Sequence, residues 1–324
     1  WNIMPAIPRP AARRCRLSPR APRAARPRTW VRAGLGVLVL TLWALGLAKL
    51  GDQPGFAECF LPAGRPLRAG EIFRSEAHAR TLELIAATEG EAFYRGELAE
   101  KMAAHAQAHG GAMTVEDLAA HQPDWVGTVS QRFGDSVIHE IPPNGQGIAA
   151  LMALGMLDAV GVDQQPLDGV DSVHLQIEAM KLAFADLHHY NADMDAMQVA
   201  PADLLHTNCR ARRAALIDRE RAGEPSYGAP RPGGTVYLAA ADSQGMMVSF
   251  IQSNYMGFGS GVVVPGTGIS LQNRGHGFNL TPGHANQVAP RKRPSHTIIP
   301  AFAMHADGTP QMAFGVMGGP MQSQ

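Results

Sequence analysis

The residues best suited to do chemistry are Gly233, Gly234 and Thr235, which close a Pro- and Gly-rich stretch (residues 222–234) and open an apolar, strand-like run. A cut before Thr235 gives one residue two functions. Its hydroxyl attacks, and its freed α-amine takes the proton. Gly234 suits such a cut because glycine tolerates a strained backbone and close approach. Taken alone, a Gly-Gly-Thr strand start equally fits a plain turn. Other constellations carry less. His105 and His109 have the i, i+4 spacing of a zinc pair, but Ala-Gln-Ala stands between them and no third ligand accompanies them, so no metal is expected. His188 and His189 are adjacent and do not share a helix face. The glycines of residues 257–261 lack the lysine and the strand-to-helix setting of a phosphate cradle, and read as a turn or bulge.

The elements around Thr235 are readable from periodicity. Thr235 to Asp242 and Met246 to Gln252 read as two strands joined at Ser243-Gln244-Gly245, a hairpin. Before the linker the texture is helical. A helix is expected over Thr81–His109 with a break near Gly90, stopped by Gly110-Gly111, with Leu98, Met102 and His105 on one face. Thr114 and Asp117 form a capping-box pair. Ser136–Ile141 reads as a strand ended by Pro142-Pro143-Asn144-Gly145, and Ile148–Leu157 as a buried helix. A further helix is expected to start at a cap on Asp171 or Ser172. Its buried stripe is Val173, Ile177, Met180 and Phe184, and Glu178, Lys181 and Asp186 are its polar side.

Composition excludes whole classes. The 324 residues are 45% hydrophobic and carry 28 basic and 28 acidic groups, so neither general disorder nor a nucleic-acid footprint is expected. Cys15, Cys59 and Cys209 have no metal-like spacing and read as free thiols. The charge is uneven. Residues 1–50 hold nine Arg, one Lys and no acid, which leaves 18 basic against 28 acidic groups in the rest. Six prolines between Pro5 and Pro27 block regular structure there, and an uncharged run follows from Ala33 to Ala48. That run reads either as a signal or membrane anchor within residues 30–50 or as an artefactual start, and the compartment stays open between cytoplasm and periplasm or membrane. Three segments are expected: 1–52, a helical 53–234, and 235–324.

Several stretches, in order, resemble the gamma-glutamyltransferase family of N-terminal-nucleophile hydrolases. They are GEAFYRGELAEKM (90–102), GGAMTVEDLAAH (110–121), IPPNGQG (141–147), HLQIEAMKLAFAD (174–186), GGTVYLAAADSQG (233–245), NYMGFGSGVVVPGTGISLQN (254–273), APRKRPSHTIIP (289–300) and GVMGGP (315–320). The resemblance spans about residues 53–324. It implies an α+β fold, the four-layer αββα sandwich, made as a precursor that cuts itself between Gly234 and Thr235. Residues 53–234 would be the later part of the large subunit, and 235–324 the start of the small one. Against the family pattern the sandwich is expected to be incomplete, lacking the first part of the large subunit and the C-terminal end.

The resemblance also implies roles. Thr235 would attack a γ-glutamyl-type amide, and water or an amine acceptor would release the acyl group. Gly318 and Gly319 match the paired oxyanion-hole glycines. Gln252, Ser253 and Asn254 fall near the nucleophile and, with Arg274, His296 and Thr297, would contact the substrate. No cofactor is implied. The pattern departs where the family holds an α-ammonium. Gly277 stands in place of the usual acid, Arg274 in place of a neutral or acidic residue, and His296-Thr297 in place of a Ser pair. A cation at 274 repels an ammonium and favours a carboxylate, unless it faces solvent. This is similar to the cephalosporin and glutaryl acylase branch, so glutaryl amides stand beside γ-glutamyl amides as expected substrates. The alternative is a non-catalytic remnant or scaffold of the same family.

Overall fold

The computed structural model describes residues 43–68, 70–225 and 234–324. Residues 1–42, which include most of the apolar run, and residues 226–233 of the linker lie outside that set. Residues 43–50 are helical, and among the described residues no helix is long and apolar enough to cross a membrane. In chain order the helices are α1 (Phe56–Phe60), α2 (Glu76–Ala87), α3 (Glu91–Arg95), α4 (Glu97–Ala108), α5 (Val115–Ala119), α6 (Gly147–Ala159), α7 (Val170–Tyr190), α8 (Pro201–Leu204) and α9 (Thr207–Ala214). The strands are β1 (Val129–Phe133), β2 (Ser136–Glu140), β3 (Gly234–Ala241), β4 (Met247–Tyr255), β5 (Val263–Val264), β6 (Ile269–Ser270), β7 (Ala301–His305) and β8 (Pro310–Phe314).

The described residues form two compact units, one from residues 43–124 and 258–271 and the other from residues 125–257 and 272–324. Each unit draws chain from both sides of Thr235. In the first, Ser75 caps α2 by accepting from the His78 N–H at 3.2 Å, and Thr114 and Asp117 cap α5 reciprocally. The helical stretch before Gly110 breaks near Gly90 as expected and a second time at Gly96, giving three helices. Glu89 and Gly90 both take positive φ (53° and 95°), and the extended backbone of Gly96 separates α3 from α4. Leu98 and Met102 are buried with Val264 and Ile269, as their spacing predicts.

The second unit holds an antiparallel sheet ordered β1-β2-β7-β8, with α6 and α7 packed together and α6 also against β1. Nearly every residue of α6 is apolar, and its Ile148, Met152 and Met156 are buried with Leu175, Ala179, Leu182 and Ala183 of α7. This corrects the expected face of α7 in part. Met180 and Phe184 are half-buried and pack against the core as expected, but Val173 and Ile177 are 45% and 54% exposed, and the fully buried stripe runs along the other side of the helix through Leu175, Ala179, Leu182 and Ala183. The small alanines let α6 approach closely there. The helix also starts earlier than expected, at Val170 after Gly169, so neither Asp171 nor Ser172 is its cap. Glu178, expected on the polar side, is buried. It accepts from Lys181 Nζ at 2.7 Å and from the Gly223 N–H at 2.9 Å.

β3 and β4 form the expected hairpin, a two-stranded antiparallel sheet of its own. It lies against β8. Ser249 Oγ donates to the Phe314 carbonyl at 3.3 Å, and a Cβ on Gly315 would fall 2.5 Å from the Tyr237 ring. Thr235 is two residues before Tyr237, so both side chains project from the same face of β3.

Candidate functional site

The β3–β4 ladder is regular until its end. Thr235 pairs with Ser253 and Gly234 with Tyr255, so Asn254 is an extra residue opposite the Gly234–Thr235 peptide bond. Such a bulge unpairs the ladder locally and re-aims the strand. Tyr255 takes the strain of the turn with φ 76°, a left-handed conformation unusual for a side chain of its size. The Thr235 hydroxyl is half-buried and donates to Ser253 Oγ at 3.1 Å, which also accepts from the Tyr255 N–H at 2.9 Å. Gln252 Nε2 reaches Asn254 Oδ1 at 3.4 Å, and the Asn254 carbonyl accepts from the Asn273 N–H at 3.2 Å. Asn273 Oδ1 in turn holds the Met256 N–H at 3.1 Å.

Arg274 does not face solvent. It is 4% exposed, its guanidinium lies 4.4 Å from the centre of the Tyr255 ring, and Nη1 donates to Thr297 Oγ1 at 2.8 Å. Its Nε and Nη2 have no partner among the described residues. Those two N–H groups point the same way and form the edge that grips a carboxylate with two parallel bonds. Burial pulls the Arg274 pKa down to about 10, which leaves the group charged at neutral pH. His296 lies in the same region. Burial and the Arg274 cation push its pKa down to about 3, so its ring is neutral. The ring Nδ1 accepts from the Ile298 N–H at 3.3 Å, and the main chain is tied to residues 144–146.

Gly318 and Gly319 follow β8. Gly319 is buried and takes φ 60°, which favours glycine, and it opens a short 3₁₀ turn. Among the described residues, neither amide nitrogen donates a hydrogen bond. The Gly319 carbonyl accepts from Gln146 Nε2 at 2.9 Å, and the same nitrogen reaches the Thr297 carbonyl at 2.6 Å. The contacts therefore run without a break from Thr235 through Ser253, Tyr255, Arg274, Thr297 and Gln146 to Gly319. Every residue expected at the site except Gly234, Gln252, Asn254, His296 and Gly318 is a link in that line, and those five flank it.

Tyr255, Gln146 and Asn273 were not legible as site residues. Gln146 carried a weak signal, as a polar residue directly before an almost wholly apolar helix. Asn191 is another. It is buried and bridges the Asn144 carbonyl at 3.0 Å and Ser295 Oγ at 2.9 Å, which holds the loop entering His296.

Glu140 lies behind the site at the end of β2. It is 2% exposed, and its Oε2 would be 2.5 Å from a Cβ at Gly147, so a larger first residue of α6 would displace the Glu140 side chain. Burial raises its pKa to about 8, opposed by the Ile141 N–H. The folded chain thus holds a proton that the unfolded chain releases near 4.5. The stabilisation is fully present below that value and is lost as pH rises towards about 8. Glu140→Gln should therefore remove part of the fall in Tm between about pH 5 and about pH 8. Parallel wild-type and variant profiles would refute that assignment.

A family model described as gamma-glutamyltranspeptidase matches residues 37–324. The oxamate amidohydrolase proenzyme of Klebsiella pneumoniae is 39% identical over 278 residues, which cover 86% of this chain and 52% of that protein. The glutathione hydrolase-like YwrD proenzyme of Bacillus subtilis is 35% identical over 275 residues, 85% of this chain and 52% of that one. A solved cephalosporin acylase from Bacillus halodurans is similar with a TM-score of 0.81 at 46% identity, over 88% of this chain and 53% of its own. The chain spans about half the length of the relatives it matches. With the family match covering the whole hairpin and the residues around it, the chain belongs to the gamma-glutamyltranspeptidase family.

Proposed function

We propose that the protein is a self-cleaving amide hydrolase or acyl transferase with Thr235 as nucleophile, built on the four-layer αββα sandwich. The observation that carries this reading is the β3–β4 register break at the Gly234–Thr235 bond, with the Thr235 hydroxyl held by Ser253. In self-cleavage, Thr235 Oγ attacks the Gly234 carbonyl carbon and the Thr235 nitrogen leaves with a proton. Water then splits the resulting ester, giving a Gly234 carboxylate and a free Thr235 α-amine. In turnover, Oγ attacks the substrate amide while the α-amine accepts its proton and passes it to the leaving nitrogen. Water or an amine then takes the acyl group from the ester. The Gly318 and Gly319 N–H groups hold the developing oxyanion, and one such donor is worth roughly 2.7–4 kcal/mol.

Arg274 favours acyl groups that carry a carboxylate, because its free edge is cationic and its neighbours Thr297, His296 and Tyr255 bring no negative charge. Gly277, where the family has an acid, offers no partner for an α-ammonium. The names of two relatives fit, since oxamate and the cephalosporin acylase substrates of this branch are amides. Glutaryl anilide should therefore be turned over faster than γ-glutamyl anilide. A strong preference for the γ-glutamyl compound would sink the carboxylate assignment and leave the nucleophile assignment standing.

A further inference from the structure

Gln146 ends the loop before α6, and its side chain is 2% exposed. Nε2 spends its two protons on two carbonyls, Thr297 at 2.6 Å and Gly319 at 2.9 Å. Two acceptors on one side fix which end of the amide faces them, since the amide oxygen has no proton to give. The main chain is held as well. Gln146 N–H donates to the His296 carbonyl at 2.9 Å, and Ser323 Oγ donates to the Gln146 carbonyl at 3.3 Å. The Thr297 that Gln146 grips by its carbonyl holds Arg274 by its hydroxyl. The Gly319 that it grips opens the glycine turn. One buried amide thus joins the two places where opposite ends of an acyl group would be held.

We propose that Gln146 is a positioning residue that sets the span between the oxyanion glycines and Arg274, and so selects the length of the acyl chain. The proposal rests on the reading of Thr235, Gly319 and Arg274 given above. A dicarboxylic monoamide must satisfy both ends at once. A misfit of one methylene then moves the reacting carbon, and a displacement of about 1 Å can cost roughly 10²-fold in rate. Without the two Gln146 bonds, the Thr297 and Gly319 segments are no longer tied at a fixed separation, and the penalty for misfit falls.

The test is kcat/KM for the monoanilides of malonic, succinic, glutaric and adipic acids, with the wild-type chain, Gln146→Leu and Gln146→Glu. Leu keeps the bulk and removes both donors. Glu keeps the shape but turns an oxygen towards the two carbonyls. Self-cleavage and Tm are read on the same samples. Wild type should prefer one length by about tenfold or more over its neighbours. The variants should show all four lengths within about threefold of one another. Variants that keep the wild-type profile, merely scaled down, overturn the proposal and leave Gln146 a structural residue, as does failure of both to fold. A self-cleaved wild type with no activity on any member overturns the proposal together with the carboxylate reading beneath it.

Discussion

Thr235→Ala is expected to abolish both self-cleavage and turnover. In the proposed mechanism the substitution removes the oxygen that attacks the amide carbonyl in both reactions, and without cleavage the α-amine proposed as base is never freed. Loss of a nucleophile that works as a unit with its base costs about 10⁴-fold or more in kcat. Thr235→Ser separates chemistry from shape. It retains the hydroxyl and the α-amine but loses the methyl that stiffens χ1, so cleavage and turnover should persist at a reduced rate. Initial rates and fragment yield on the three chains check this. An alanine variant within tenfold of wild type would show that another residue attacks. Ser253 is then the first suspect, since its hydroxyl lies 3.1 Å from that of Thr235.

Arg274→Met should have the second largest effect, and the two properties it touches should move in opposite directions. For a carboxylate-bearing anilide, kcat/KM should fall on the order of 10²–10³-fold, as when one partner of a buried charge pair is truncated. For an acetyl or butyryl anilide, which has no carboxylate, the loss should be small. Arg274→Lys should rescue little, because an ammonium lacks the two parallel donors. The fold itself should hold or gain stability. Arg274 is buried with its Nε and Nη2 unpartnered among the described residues, an arrangement that costs free energy in the absence of a bound anion. A methionine replaces the aliphatic stem of the arginine and carries no buried donors, so it avoids that cost. A marked fall in Tm together with equal losses on both substrates would make Arg274 a structural residue.

The parts of this protein written in local chemistry were the parts legible in the sequence. The hairpin, the Thr114 cap, the apolar α6 and the strand start at Thr235 each depend on residues a few positions apart. The buried face of α7 was not legible, because two rows of residues both have helical spacing. Val173 and Ile177 are the more hydrophobic row, but packing against α6 selects the row with Leu175, Ala179 and Ala183. Small side chains score poorly as hydrophobes and well as contact surfaces. Glu178 was misplaced for a related reason. Its burial is set by Lys181 and by the backbone of Gly223, 45 residues away. At the site, Arg274 stood out by its charge. Gln146 and Tyr255 did not, because their roles come from partners in other elements. The bulge at Asn254 depends on strand register, which the pattern of β4 alone does not fix.

The central claim is that the register break at Gly234–Thr235 is built for a cut. Intact-mass spectrometry of the purified chain after incubation tests it most directly. The account predicts two species, the smaller beginning at Thr235, whose masses sum to that of the chain plus one water. A single species at full mass after prolonged incubation in native buffer would contradict it, and would leave a family member that folds around the site without cutting itself.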